Sequence, residues 1–378
     1  MLSDLAFSLS EELEADLTVI ASRQRYDDPT AVLANSDEIN RVKITRVWTS
    51  RFGRGNLLGR AMDYITFYAT VFIVLLFKSK RDDIIVAKTD PPMISVICAF
   101  CSRLKGFTLV TWSQDLFPEI GKALKVNLLF DSLYKPMLRM RNWSLSSAKH
   151  NVVIGENMSL KLSDYRIPAS SLQIIHNWAK DIAPIDKSRN KLRSDWGFGD
   201  EFVVGYSGNL GRGHDVDTII ATINQLRNTP KVKFLFVGGG AKIDELQRRL
   251  ISLDNVCFKP YQARKLLSES LSVPDVHLIS LLPELEGYMV PSKFYGVIAA
   301  GRPVIFVGDT NGEISKLVRQ HNCGAVVEKD DSDALSERIL YMSKHEELVS
   351  NMGRNGHAAF IMHYQLDKVI PKWKKILS

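Results

Sequence analysis

Val203-Val-Gly-Tyr-Ser-Gly-Asn-Leu-Gly-Arg-Gly-His-Asp215 is the stretch whose reading decides the fold. An apolar run enters a loop carrying Gly205, Gly208, Gly211 and Gly213, and an amphipathic stretch, 218–226, follows it. Strand, tight turn and helix in that order form the unit from which parallel α/β sheets are built. Glycine lets a ligand approach the backbone closely, and a helix N-terminus offers free N–H groups and partial positive charge to a phosphate. Arg212 and His214 sit where they could add charge to that turn. The spacing is not G-x-G-x-x-G and no P-loop lysine follows, so dinucleotide and P-loop readings are weak.

The same rhythm extends in both directions. Downstream, short apolar runs predict strands at 202–206, 232–237, 256–259, 276–281, 303–307 and 325–328, with amphipathic stretches at 242–251 and 313–319. Upstream, the corresponding runs are 17–21, 44–48, 84–87, 108–112, 152–154 and 172–175. A polar segment containing Pro184 separates the halves. The expected organisation is two α/β domains, 1–180 and 181–362, with a closing helix at 363–378. Ligands are expected at the carboxyl ends of the strands.

Composition agrees with this plan. The 378 residues are 45% hydrophobic and 24% charged, which excludes a disordered chain, a collagen and a multi-span membrane protein. Four cysteines are too few for a disulfide scaffold and suit a reducing compartment. The first 22 residues lack a basic n-region and a small-residue cleavage site, so no signal peptide is expected.

Two more segments carry candidate chemistry. Gly238-Gly-Gly240 ends a predicted strand in a turn able to admit a flat ligand. Leu281–Val304 holds a loop with Glu284, Glu286 and Gly287, then Pro291-Ser292 opening a helix whose first residues include Lys293. An anion at that N-terminus would meet both the helix dipole and the ammonium group.

Together these segments resemble the family-four retaining glycosyltransferases of the GT-B fold, in particular the bacterial surface-polysaccharide, WbuB/WcaI-like, group. The matching stretches are SGNLGRGHD (207–215), FLFVGGG (234–240), DVHLISLLPELEG (275–287), VPSKFYGVIAAGRPVIF (290–306) and KTDPPMISVICAFCSRLKGFTLVTWSQDLFPE (88–119). The resemblance implies two Rossmann-like domains whose parallel sheets face a central cleft. It also implies transfer of a sugar, an N-acetylated amino sugar as the working expectation, from a UDP-sugar with retention of configuration. The acceptor would be a lipid-linked saccharide in surface-polysaccharide (O-antigen, capsule or exopolysaccharide) biosynthesis.

Carried over by position, Gly208, Asn209, Leu210, Gly211 and Arg212 would cradle the diphosphate, with His214 beside them. Lys293 would neutralise it, Gly238, Gly239 and Gly240 would lie near the nucleoside, and Glu284 or Glu286 would approach the donor sugar. No cofactor or metal is then required. Two departures stand out. Where many relatives carry a ribose-gripping Glu, this chain has Gly296. It also opens on a helical stretch, Leu2–Leu13, where the family opens on a strand and a glycine loop. A nucleotide-sugar epimerase of the same architecture and a truncated, non-catalytic GT-B protein are the alternatives.

Asp115 follows the 108–112 strand, and two readings stand: a base for the acceptor hydroxyl, or a helix cap. Asp331-Ser-Asp333 has the D-x-D form of metal-dependent transferases but precedes a helical stretch, so capping is expected. Cys98 and Cys101 fall in an apolar helix and read as core.

The net charge of +7 is unevenly placed. Residues 41–60 hold Arg41, Lys43, Arg46, Arg51, Arg54 and Arg60 with no acid, and 122–149 holds six basic residues against Asp131. Between them runs Tyr64–Phe77, fourteen apolar or small residues, short of the ~20 needed to span a bilayer. Basic groups beside apolar surface suit an anionic membrane, giving a cytoplasmic protein peripheral on the inner face of the membrane. Nucleic acid is not expected as a partner, because no recognition signature is present.

Overall fold

The computed structural model describes residues 1–13, 15–24, 33–53, 57–125, 128–180 and 182–378, without the side chains of 57 and 128–130. The chain divides into an N-terminal unit, Met1–Ile154 with Ser159–Ile175 and Ile370–Ser378, and a C-terminal unit, Gly155–Met158 with His176–Val369.

The N-terminal unit holds β1 (Leu17–Ser22), β2 (Ser36–Ile39), β3 (Val42–Val47), β4 (Ile84–Lys88), β5 (Thr108–Ser113), β6 (His150–Val153) and β7 (Leu172–Ile174). Six of these overlap the predicted runs. The seventh, β2, is polar and wholly exposed, so it shows no apolar alternation. It forms because Asn40 and Arg41, at φ of 50° and 63°, turn the chain back antiparallel onto β3.

These strands make two sheets, ordered β1-β3-β2 and β4-β5-β6-β7. Among the described residues, β1 and β4 each pair on one side only. One core nevertheless serves both sheets: Ile20 of β1 and Val47 of β3 pack with Ile85 and Ala87 of β4 and Leu109 of β5. Helices Leu57–Lys78 and Ile94–Lys105 close that core with Val71, Leu75, Cys98, Ala99 and Cys101. Both cysteines are buried and free, as the core reading requires.

The C-terminal unit is one parallel sheet of β8 (Phe202–Asn209), β9 (Val232–Gly239), β10 (Val256–Lys259), β11 (Val276–Ser280), β12 (Val304–Val307) and β13 (Gly324–Val327). Its order is β10-β9-β8-β11-β12-β13, so the winding reverses between β8 and β11. The central strands are buried on both faces and read as continuous apolar runs. The partly buried edge strands β10 and β13 are short apolar runs too, so all six were visible in the sequence. Asp331 caps the Ser332–Ser343 helix, its Oδ1 accepting from the Ala334 N–H at 2.9 Å. No group of three or more metal-ligating side chains occurs among the described residues.

The closing helix, Leu366–Leu377, joins the N-terminal unit from Ile370 onward, and the chain first enters the C-terminal unit at Gly155. Packing decides this. Trp373 is fully buried edge-on against Trp112, ring centroids 5.0 Å apart. Truncating a buried tryptophan typically costs about 3–5 kcal/mol. Trp373→Ala is therefore expected to destabilise the N-terminal unit by about that much, read as a lowered urea midpoint of unfolding. An unchanged midpoint would refute the packing role.

Candidate active site

In open α/β sheets ligands bind outside the carboxyl ends of strands where the winding reverses. In the C-terminal unit those ends carry the loops after β8, β9 and β11, which include nearly all the residues singled out from the sequence. The β8 and β9 loops are packed backbone on backbone. Gly208 is in register with Gly238, and Asn209 with Gly239. A Cβ on Gly238, at φ +132°, would stand 2.3 Å from the Gly208 carbonyl oxygen. One on Gly240 would meet Asn209 Oδ1 at 2.4 Å and the Leu210 backbone at 2.5 Å. Packing alone thus demands glycine at 238 and 240, whatever ligand lies beyond.

Lys293 reaches into this junction. Its Cε lies 3.0 Å from the position a Gly208 Cβ would take, and its ammonium sits 5.4 Å from the centre of the Tyr206 ring. Nζ approaches His214 Nε2 at 3.2 Å. His214 is buried, and its Nδ1 lies 2.6 Å from the Ser280 carbonyl oxygen. A carbonyl only accepts, so Nδ1 carries the proton and Nε2 offers its lone pair to the ammonium. Burial, then the Lys293 charge, lowers the His214 pKa to about 4, with the Ser280 hydrogen bond opposing. His214 is therefore neutral near pH 7, and the expectation that it adds positive charge is corrected: it orients Lys293. Burial also brings Lys293 down to about 8.

Arg212 is exposed on the turn. The helix after it, Asp217–Gln225, is not open to a phosphate in the way the sequence suggested. Asp215 Oδ1 already accepts from the N–H groups of Asp217 at 3.1 Å and Thr218 at 3.4 Å, and Oδ2 accepts from the Thr218 hydroxyl. Gly211 stays in the loop, while Gly213 packs against Leu285, whose Cδ1 is 2.7 Å from its Cβ position.

That contact docks the β11 loop, which separates the two glutamates. Glu284 is exposed. Glu286 turns inward: Oε1 accepts from Asn157 Nδ2 at 2.9 Å and from the Glu313 N–H at 2.8 Å, capping the Glu313–Gln320 helix. Burial raises its pKa, and those two hydrogen bonds oppose the rise. Gly287 has φ +79°, which favours glycine. Pro291 and Ser292 open the Lys293–Ala299 helix, and Ser292 makes no side-chain cap bond. Asn157, Glu313 and Lys316, whose Nζ donates to Asn157 Oδ1 at 2.6 Å, were missed in the sequence, because they join this loop only through tertiary packing.

Asp115 belongs to the N-terminal unit, on the loop after β5. Thr89 Oγ1 accepts from the Gln114 N–H at 2.8 Å and holds the loop. Solvent reaches Asp115, yet the surrounding loop crowds its carboxyl and pushes the pKa up, with Lys88 opposing and Asp90 assisting.

Residues 188–359 match the family model described as Glycosyl transferases group 1. The chain is 29% identical to the probable glycosyltransferase WbjE of Pseudomonas aeruginosa, over 76% of this chain and 73% of that protein. It is 26% identical to the putative colanic acid biosynthesis glycosyl transferase WcaI of Escherichia coli K12, over 65% and 63%. Among solved structures, sucrose-phosphate synthase of Thermosynechococcus elongatus superposes with a TM-score of 0.79 at 14% identity, over 99% of this chain and 91% of that one. Anabaena Alr3699/HepE in complex with UDP-glucose gives 0.68 at 17% identity, over 88% and 85%. WaaG, a glycosyltransferase involved in lipopolysaccharide biosynthesis, gives 0.70 at 16% identity, over 100% and 95%.

The fold is therefore GT-B, and the protein is a glycosyltransferase. Its 188–359 segment is similar to the group 1 glycosyltransferases, in line with the resemblance of its sequence.

The glycines divide by environment. Gly238→Ala forces a residue with a Cβ into positive φ against a carbonyl, so a loss of at least about 1–3 kcal/mol is expected. Gly296 has only Leu271 Cδ1 near its Cβ position, at 3.7 Å. Gly296→Ala should be neutral or stabilising by up to about 1 kcal/mol. Thermal melts of both variants check the contrast, and equal losses would contradict it.

Proposed function

We infer that the protein is a retaining transferase that moves a sugar from a UDP-sugar to a lipid-linked saccharide in the assembly of a surface polysaccharide. Supporting this reading is the convergence of Gly208, His214 and Lys293 at the point where the C-terminal sheet reverses. A departing UDP gains negative charge, and a preorganised ammonium beside open backbone is suited to receive it. The Alr3699/HepE complex with UDP-glucose and the biosynthetic roles of WcaI and WaaG point the same way. In this reading Lys293 and Arg212 neutralise the diphosphate without a metal, the Gly238–Gly240 turn faces the nucleoside, and Asp115 receives the acceptor hydroxyl proton. The transferred sugar is taken as an N-acetylated amino sugar, and the acceptor lipid places the protein on the inner face of the cytoplasmic membrane. The family model that matches 188–359 is one of transferases, which favours transfer over the epimerase alternative.

Incubation with a panel of UDP-sugars and a lipid-diphosphate saccharide tests the proposal. Transfer with retained configuration is expected. A folded protein that neither transfers nor hydrolyses any donor would refute it, and donor isomerised without acceptor would restore the epimerase.

Arg212→Ala and Lys293→Ala are each expected to lower turnover at least tenfold, about 1.4 kcal/mol of barrier. Near-wild-type rates in both would remove their assigned role.

The pH dependence follows from Lys293. Its ammonium is fully charged well below about 8 and lost above it. UDP binding should thus hold steady toward pH 7 and weaken up to about tenfold per unit well above the lysine's pKa. Calorimetric titration across that range reads the limb, and Lys293→Met should abolish it. A limb that survives this substitution belongs to another group.

A further inference from the structure

We propose that Arg141 and Glu119 are positioning residues: their buried ion pair fixes the loop that carries Asp115, and with it the placement of the Asp115 carboxylate. This role rests on the proposed function, in which Asp115 receives the acceptor hydroxyl proton.

Asp115 lies on a short connection, 114–118, between β5 and the Glu119–Ala123 helix. A loop without a backbone ladder takes its shape from whatever ties it down. At the near end Thr89, just past β4, accepts from the Gln114 N–H at 2.8 Å and from the Asp115 N–H at 3.4 Å. Leu116 is buried and pins the middle. The far end is Glu119, four residues beyond Asp115 and the first residue of its helix. It is held by Arg141 of the Leu128–Ser146 helix, which packs alongside, Nη2 donating to Glu119 Oε1.

The guanidinium is itself fixed. Its Nε donates to Asn142 Oδ1 at 2.8 Å, and the group stands 5.2 Å from the centre of the Tyr165 ring. Ser144 Oγ donates to the Arg141 carbonyl at 2.7 Å and shares a 2.9 Å hydrogen bond with Ser95 Oγ, which ties this turn to the Ile94–Lys105 helix. Arg141 thus reaches the Asp115 loop from a well-anchored base.

Stability alone does not call for such a pair. The Arg141 and Glu119 side chains are 5% and 1% exposed, and among the described residues of the N-terminal unit no other ion pair is buried at both ends. Taking two charges out of water costs about as much as their attraction returns, so apolar residues of the same shape would hold the fold as well. The cost here is raised further, because Arg141 Nη1 and Glu119 Oε2 find no hydrogen-bond partner among the described residues. What the pair adds over an apolar contact is direction, since a charged hydrogen bond fixes angle as well as distance. Arg141 also lines one cleft with Thr89, Ser113, Asp115 and Leu116, so a shift of the guanidinium is felt in the wall beside the carboxylate.

The other charges near Asp115 are Lys88 and Asp90 at the end of β4. Crowding by the loop is the larger cause of its raised pKa, Lys88 opposing and Asp90 assisting. A loosened loop lets water back to the carboxyl, and the pKa falls toward the ordinary carboxylate range.

The test removes both charges together. Glu119→Leu with Arg141→Met keeps the packing and should keep the melting temperature. Turnover of the intact protein should drop at least about tenfold, with the donor KM within about twofold of wild type, as expected for a displaced group that acts in the transition state. The acid limb of kcat, which requires ionised Asp115, should move to lower pH. Carbon-13 NMR titration of aspartate-labelled protein reads the same shift without turnover. Glu119→Gln, which keeps shape and one hydrogen bond, should shift both readouts in the same direction by less, and carries the test if the paired variant unfolds. In an Asp115→Asn background the paired change should cost no further rate, because its effect passes through that carboxylate. A folded paired variant with wild-type kcat and an unmoved limb would overturn the proposal. So would an undiminished loss in the Asp115→Asn background. Failure of the parent reading shows separately, as wild-type turnover by Asp115→Asn alone.

Discussion

Much of the candidate site depends on a single half-buried cation. Lys293 is drawn into the glycine junction of the C-terminal unit, and among the described residues no carboxylate forms an ion pair with it. Burying a charge without a partner is costly, and the cost is visible in the lysine's lowered pKa. What tolerates the charge is a ring face from Tyr206 and the lone pair of a histidine held neutral by the Ser280 carbonyl. In the proposed function, the donor's diphosphate would supply the negative charge that the junction lacks.

The glycines serve this arrangement in an indirect way. Glycine at 238 and 240 lets the β9 loop lie on the β8 loop with no side chain between them, and that close approach defines the wall against which Lys293 packs. Glu286 plays a comparable architectural part on the other side of the β11 loop. By capping the Glu313–Gln320 helix through its own carboxylate, it ties the loop to the sheet edge and fixes where Pro291, Ser292 and Lys293 begin their helix. A residue carried over by motif as a sugar contact is thus, in this fold, also a structural tie.

In the N-terminal unit the governing constraint is different. Two sheets share one apolar core, and the long Leu57–Lys78 helix closes it with one side while leaving the other uncovered. A helix apolar all round is ordinarily wrapped by protein or lipid. Here half of it is wrapped by protein, which is what turns an ambiguous fourteen-residue apolar run into a surface with a direction.

The strands of both units, the two-unit plan and the glycine loops were legible in the sequence because each rests on local patterning. Buried parallel strands are short apolar runs, and turns that need positive φ or close approach need glycine. The polar β2 strand was not legible, since backbone pairing after the Asn40–Arg41 turn makes it and no side-chain pattern reports it. Tertiary structure alone decided which charges are real. His214 loses its proton affinity to burial, Asp215 takes the helix N-terminus reserved for a phosphate, and Asn157 meets Glu286 across a separation of 129 residues. Protonation and pairing depend on desolvation and on neighbours distant in the chain, and a linear sequence contains neither quantity.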